Sequence, residues 1–226
     1  MSDQLTRVLS LALRHKPEAF GIEVDSQGWA SLPSIADGIN RQSHGIAVTE
    51  NSLREFVAEQ LLERFEVQGD RIRALYGHSL LHVAVGEMNN PPETLFHATR
   101  AILLPRIRKN GLTAQGRNGV HFTARWDYAL SVKDGHTNVA QRGVILAIRA
   151  ADTAYKGIPF YQATNHIWLS PYIPSRFLWL VPSQNRTCPE DAPRTFIPLD
   201  SEENRAILRE QLKGLSHDDD DSKTLS

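Results

Sequence analysis

RFEVQGDRIRA, Arg64 to Ala74, reads as a β-hairpin. Phe65 and Val67 alternate with polar residues, Gly69 and Asp70 supply the turn, and Ile72 leads the return strand. Upstream, Thr49 can cap a helix carrying Leu53, Phe56, Val57 and Leu61 on one face, and Ser31 can cap another running to about Asn40. GIEV (Gly21 to Val24) followed by the turn DSQG reads as a short strand and reversal. Leu5, Val8, Leu9, Ala12 and Leu13 fall at helical spacing, and Pro17 ends that first helix because the residue before proline avoids helical angles. Three helices and a hairpin make a winged-helix outline. That outline alone suggests DNA binding, although a fold does not fix a function.

Gly86 to Pro92, with MNNPP inside it, reads as a linker. Beyond it come six short strand-like runs: LFHAT, VHFTA, VILAIRA, IPFYQA, HIWLS and FLWLVP. Helical patterns cover Ile102 to Lys109, stopping at Gly111, and Asp127 to Lys133. The expected fold class is α+β, with a winged-helix-like lobe over 1–85, a β-rich lobe over 93–182 and a C-terminal extension over 183–226. Ser201 can cap a helix through Leu212. The closing SHDDDDSKTLS reads as disordered, so truncation before Ser216 is expected to leave turnover unchanged or slightly raised.

Hydrophobic content of 41% and charged content of 23% are ordinary for a soluble globular protein. Cys188 is the one cysteine, which excludes an intramolecular disulfide and a cysteine-rich zinc site. No apolar run approaches the roughly 18 residues of a membrane span, and the N-terminus lacks a signal-peptide pattern. A cytoplasmic monomer is the expectation. The net charge of -1 conceals an asymmetry: residues 1–88 hold 8 Lys/Arg against 12 Asp/Glu, residues 89–182 hold 11 against 4, and residues 183–226 hold 6 against 10. A cationic middle suits a polyanion such as RNA or a dinucleotide.

Three basic clusters stand out: Arg14-His15, RIRALYGHS (Arg71 to Ser79) and RNGVH (Arg117 to His121). Guanidinium forks suit bidentate phosphate contact, and imidazole adds a proton that titrates near neutral pH. The bland alternative is three unrelated solvated patches. Arg14 and His15 end the first helix, where the negative end of the dipole favours a protonated His15. Alternation puts Arg71 and Arg73 on the same strand face, so the residues alone do not choose between them.

LSLALRHKP (Leu9 to Pro17), RIRALYGHS, LFHATR (Leu95 to Arg100), GLTAQGRNGVHFTA (Gly111 to Ala124) and IPFYQATNHIWLS (Ile158 to Ser170) occur in one order. Together they resemble the RNA 2'-phosphotransferase family, over roughly Leu5 to Val181. The resemblance implies an ADP-ribosyltransferase-like second lobe, NAD as co-substrate, no metal, and RNA bearing an internal 2'-phosphate, such as a tRNA, as partner. It implies a catalytic set of Arg14, His15, Arg73 and Arg117, with Arg14 and Arg73 gripping the phosphate, His15 donating a proton and Arg117 stabilising the phosphate in transfer.

LFHAT resembles the histidine-glycine-threonine motif that holds NAD, which implies His97 on a ribose and the backbone of Ala98 on the nicotinamide amide, with Thr99 beside them. Ala98 stands where the family has glycine, and Gly119 where relatives usually carry histidine; His121 is kept. Ile167 occupies the position of the late glutamate of other ADP-ribosyltransferases, and no acidic residue lies between Asp152 and Glu190, which disfavours arginine modification. Phe160, Tyr161 and Trp168 read as core rather than as an adenine platform. His78 either contacts substrate or closes the Gly77-His78-Ser79 turn. Two rival functions remain: an ADP-ribosyltransferase capping a terminal nucleic-acid phosphate, and a non-catalytic winged-helix regulator.

Overall fold

A computed structural model describes residues 2–42, 45–60, 63–80, 82–84, 86–135, 142–181, 197–199 and 201. The protein is mixed α+β and divides into two compact units. The described residues of Met1–Glu87 form the first, joined by Gln115–Gly119 and Ala163–Asn165; those of Met88–Ala114, Val120–Gln162 and His166–Ser226 form the second.

In the first unit, α1 (Ser2–Arg14) leads into a 3-10 turn (Pro17–Phe20). Then follow β1 (Trp29–Ser31), α2 (Leu32–Arg41), α3 (Glu50–Ala58), β2 (Phe65–Gln68) and β3 (Arg71–Ala74). Leu5, Val8, Leu9, Ala12 and Leu13 are all buried, so the stripe seen in the sequence is the buried face of α1. Ser31 caps α2 by accepting the Ser34 amide, and Thr49 and Ser52 form a reciprocal capping box on α3. The hairpin turns at Gly69, whose φ of 59° favours glycine. The sheet order is β1-β3-β2.

The expectation for GIEV is corrected. Gly21 to Val24 is irregular, and the strand lies later, at Trp29–Ser31. Asp25 Oδ1 accepts the amides of Gln27 and Trp29, folding DSQG into a turn that delivers Trp29, not Ile22, to the edge of β3. The position expected for Leu61 lies outside the described residues.

The second unit is an eight-stranded sheet of order β13-β12-β8-β5-β7-β10-β9-β4, with the pair β11-β6 beside it. Its centre is β5 (Thr94–Arg100), β7 (Val120–Thr123), β8 (Gly143–Arg149) and β10 (Ile167–Ser170), with α4 (Leu104–Asn110) and α5 (Trp126–Asp134) packed around it. The remaining strands are β4 (Glu87–Met88), β6 (Leu112–Thr113), β9 (Tyr161–Gln162), β11 (Tyr172–Ile173), β12 (Leu178–Leu180) and β13 (Ile197–Pro198). β5 pairs antiparallel with β8 from Thr94↔Arg149 to Arg100↔Gly143.

VILAIRA does not stay extended to its end. The chain turns at Ala150 into α6 (Ala150–Tyr155), where the Thr153 hydroxyl donates to the Arg149 carbonyl at 2.6 Å. The helix proposed from Ser201 and the acidic tail fall outside the described residues. Among the described residues no helix is long and apolar enough to cross a membrane.

Candidate active site

In the first unit the guanidiniums of Arg14 and Arg117 both act on the imidazole of His15. α1 ends at Arg14, and the carbonyl exposed there accepts both the amide of Ser79 at 3.0 Å and its hydroxyl at 3.3 Å. Because that hydroxyl donates to the carbonyl, its oxygen is left to accept Nδ1–H of His15, 3.1 Å away. The tautomer is thereby set, with Nδ1 committed to Ser79 and Nε2 carrying the exchangeable site. His15 is half-buried.

Arg14 is held by its surroundings. Its guanidinium lies 5.3 Å from the Phe65 ring centroid and 5.1 Å from that of Tyr76, and Nη2 donates to the Arg64 carbonyl at 3.4 Å. Gly77, at φ 88°, lets the turn pass this side chain; a Cβ there would sit 3.2 Å from Arg14 Nη1. His78 is buried and donates Nε2–H to the Ala74 carbonyl at 2.8 Å. Of its two readings, the structure favours closing the turn.

Asn118 ties the segment of Arg117 to the turn beside His15, within range for its charge to act on the imidazole. Asn118 donates its amide to the His78 carbonyl at 3.0 Å and Nδ2 to the carbonyls of Leu80 and Val83 at 2.9 and 2.8 Å. Ser79 and Asn118 carry no cue in the sequence beyond their place inside basic motifs, since their partners lie dozens of residues away.

Burial holds His15 below its ordinary value of 6.5, and the guanidiniums of Arg117 and then Arg14 push it further down. This corrects the expectation that the helix dipole favours protonation. The terminal carbonyl is already spent on Ser79, and a partial charge at a helix end is outweighed by two full ones.

Arg73 has other company. Its Nε and Nη2 donate to Glu66 Oε2 at 2.7 and 2.6 Å, and its guanidinium lies 4.4 Å from the Trp29 ring centroid. Arg71 lies over the same ring at 4.9 Å. Arg73 is not among the charges that depress His15.

In the second unit, His97 Nδ1–H donates to the His121 carbonyl at 2.8 Å, and the ring packs 5.7 Å from Phe122. That bond places the lone pair of neutral His97 on Nε2, which makes that atom a hydrogen-bond acceptor. Phe96 and Ala98 project towards the cluster of Trp126, Ala129 and Ile145, so strand alternation sends the Ala98 methyl to the opposite face from His97. Ala98 lies within a strand and needs no positive φ. β5 pairs with β7 only at Phe96↔Thr123, so the β7 side of Ala98 and Thr99 lies outside that ladder. Thr99 and Ile167 are buried and His121 is half-buried. Phe160 and Trp168 are core residues. Among the described residues no group of three His, Cys, Asp or Glu side chains could hold a metal ion.

Two results should follow from this geometry. Ser79→Ala frees His15 to take either tautomer, so turnover should fall about tenfold, within the usual reach of a lost orienting hydrogen bond. Ser79→Thr should restore it. An unchanged pH–rate profile in Ser79→Ala would remove Ser79 from this role.

The second result concerns stability. Burial depresses His78 as well, despite its hydrogen bond to Ala74, and the same holds for His15. A histidine depressed in the folded state binds its proton more weakly there than in the unfolded chain. Stability is therefore full above about 6.5 and falls as pH drops through the window below it, down to the folded values. Thermal melts from pH 7.5 to 5 should show the midpoint falling, and His78→Gln should flatten the decline.

A sequence model described as "RNA 2'-phosphotransferase, Tpt1 / KptA family" matches residues 1–172. A protein of Acetivibrio thermocellus named "Probable RNA 2'-phosphotransferase" is 31% identical over 175 residues, 77% of this chain and 94% of that protein. One of the same name from Escherichia coli O9:H4 is 39% identical over 178 residues, 76% and 92% of the two chains. Another, from Shigella boydii serotype 18, is 38% identical over 178 residues with the same coverage.

Proposed function

The chain belongs to the RNA 2'-phosphotransferase family, and on that premise we propose that it removes an internal 2'-phosphate from RNA with NAD as the acceptor. The observation that carries this reading is the pair of guanidiniums, Arg14 and Arg117, acting on a histidine whose tautomer Ser79 fixes. We assign the first unit to a winged-helix-like lobe, supported by three helices followed by a hairpin, and the second to an ADP-ribosyltransferase-like lobe. His97 with the backbone of Ala98 would hold the nicotinamide riboside, a reading supported by the ring's fixed tautomer and the unladdered side of β5.

Bound there, NAD supplies an anomeric carbon with nicotinamide as a good leaving group. An oxygen of the RNA 2'-phosphate forms a bond to that carbon as the carbon–nitrogen bond breaks, giving RNA with a 2'-phospho-ADP-ribosyl group. The ribose 2''-hydroxyl then loses its proton and bonds to phosphorus, and the bond from phosphorus to the RNA 2'-oxygen breaks. That oxygen takes a proton, releasing 2'-hydroxyl RNA and ADP-ribose 1'',2''-cyclic phosphate.

The chain's own residues supply aim, charge and the proton. Arg14 and Arg117 hold the phosphate and offset charge on the crowded phosphorane. His15 is the proton donor to the departing oxygen through Nε2. A phosphate dianion between the two guanidiniums cancels the charges that depress His15, so substrate binding itself raises the fraction of His15 carrying the proton. Arg73 completes the grip if its guanidinium, steered by Glu66 and Trp29, offers its remaining edge to the phosphate.

Incubation of the protein with NAD and an RNA bearing one internal 2'-phosphate tests the proposal. Nicotinamide, 2'-hydroxyl RNA and the cyclic phosphate are the expected products. An RNA end bearing stable ADP-ribose would mark a terminal-phosphate capping enzyme instead, and intact NAD would mark a regulator.

A further inference from the structure

We propose that the cationic face around α4 docks the RNA strand that flanks the 2'-phosphorylated nucleotide, through its phosphodiester backbone. Between Thr94 and Trp126 the chain carries Arg100, Arg106, Arg108, Lys109, Arg117 and Arg125 and no carboxylate. Four of these cations fall within the ten residues from Arg100 to Lys109. α4 buries Leu104 and Ile107 and leaves Arg106 and Lys109 exposed; Arg100 is exposed and Arg108 half-buried. The 3-10 turn of Ser175–Phe177 packs on α4 and adds Arg176, which lies over the Phe177 ring.

Carboxylates are sparse in residues 89–182, and three of the four pair with other cations. Residues 89–182 hold Glu93, Asp127, Asp134 and Asp152 as their only acidic side chains. Asp127 pairs with Arg125, Asp134 with Lys133 and Asp152 with Arg149. Among the described residues no ion pair engages Arg100, Arg106, Arg108, Lys109 or Arg176. The helix dipole accounts for Arg108 and Lys109 in the last turn of α4, but not for Arg100 or Arg106 ahead of it. Arg106 and Lys109, three apart, project side by side from the helix. Long cationic arms that make no ion pair among the described residues are suited to successive phosphates, where counterion release drives association.

The inference rests on RNA being the substrate, and the experiment separates the two. Binding of a single-stranded RNA of about 20 nucleotides is measured across a salt series, with and without a 2'-phosphate, alongside turnover of that RNA and of a 2'-phosphorylated dinucleotide. Arg106→Ala/Lys109→Ala should lower the slope of log affinity against log salt by about 1.4, the loss of two single-strand phosphate contacts. The KM for the long RNA should rise while dinucleotide turnover stays within about twofold of the parent, with Arg106→Glu/Lys109→Glu weakening binding further. Thermal midpoints check that both variants fold. An unchanged salt slope, or equal losses on dinucleotide and long RNA, or a raised KM for NAD alone, would overturn the proposal. If the unmodified protein turns over neither RNA, the assigned reaction is wrong, while the salt slope on RNA lacking the 2'-phosphate still reports on α4.

Discussion

His15→Ala and Arg14→Ala are expected to leave RNA carrying a 2'-phospho-ADP-ribosyl group, visible as a slower-migrating species on a denaturing gel. The two steps of the proposed reaction ask different things of the protein. Nicotinamide leaves readily once a phosphate is aimed at the anomeric carbon, whereas the second step must expel a ribose alkoxide, which needs a proton and a neutralised phosphorane. His15 presents Nε2 because Ser79 occupies Nδ1, so its removal takes away the proposed proton donor without touching the segment around His97 proposed to hold NAD. The second step should slow by about 100- to 10,000-fold, the range of general-acid catalysis, with a much smaller effect on nicotinamide release. Arg14→Ala removes a guanidinium pinned between Phe65 and Tyr76, and Arg14→Lys should rescue it poorly because a point charge replaces a stacked planar fork. Arg73→Ala should accumulate the same species. Wild-type turnover in the Arg14 and His15 variants would place the phosphate site elsewhere.

His97→Ala should behave in the opposite way, yielding neither intermediate nor product. Its Nδ1–H is spent on the His121 carbonyl, so the side chain offers a rigidly oriented acceptor. If NAD is held as proposed, losing this acceptor should misplace the anomeric carbon, and misplacement near 1 Å can cost about 100-fold. Nicotinamide release should therefore fall about 100-fold or more even with saturating RNA. Because His97 also packs on Phe122, a thermal melt must accompany the assay. A folded His97→Ala variant that releases nicotinamide at the parent rate would remove His97 from NAD binding.

The elements that periodicity and local chemistry control were legible in the sequence. α1 follows from five apolar residues at helical spacing, all of them buried. The caps at Ser31 and Thr49 are written in neighbouring residues, because each bond spans three positions, and the hairpin turn at Gly69 needs only a residue that accepts positive φ. GIEV failed because a strand needs a partner, and Asp25 gives the edge of β3 to Trp29 instead. The motifs also named the basic residues, since their guanidinium and imidazole groups have no place in an apolar core.

What those groups do to one another was decided only by the tertiary structure. The protonation of His15 depends on burial and on Arg117, more than a hundred residues away, and these reverse the bias that a helix end alone would give. Its tautomer depends on Ser79, which takes both the Arg14 carbonyl and Nδ1. The company of Arg73 depends on the register that sets it across from Glu66 and Trp29. Sequence fixes which side chains carry charge and which short segments bend or coil, because those are local energies. Distances between charges, and hence pKa values and hydrogen-bond direction, arise only when distant segments pack, because electrostatic coupling follows separation in space and not along the chain.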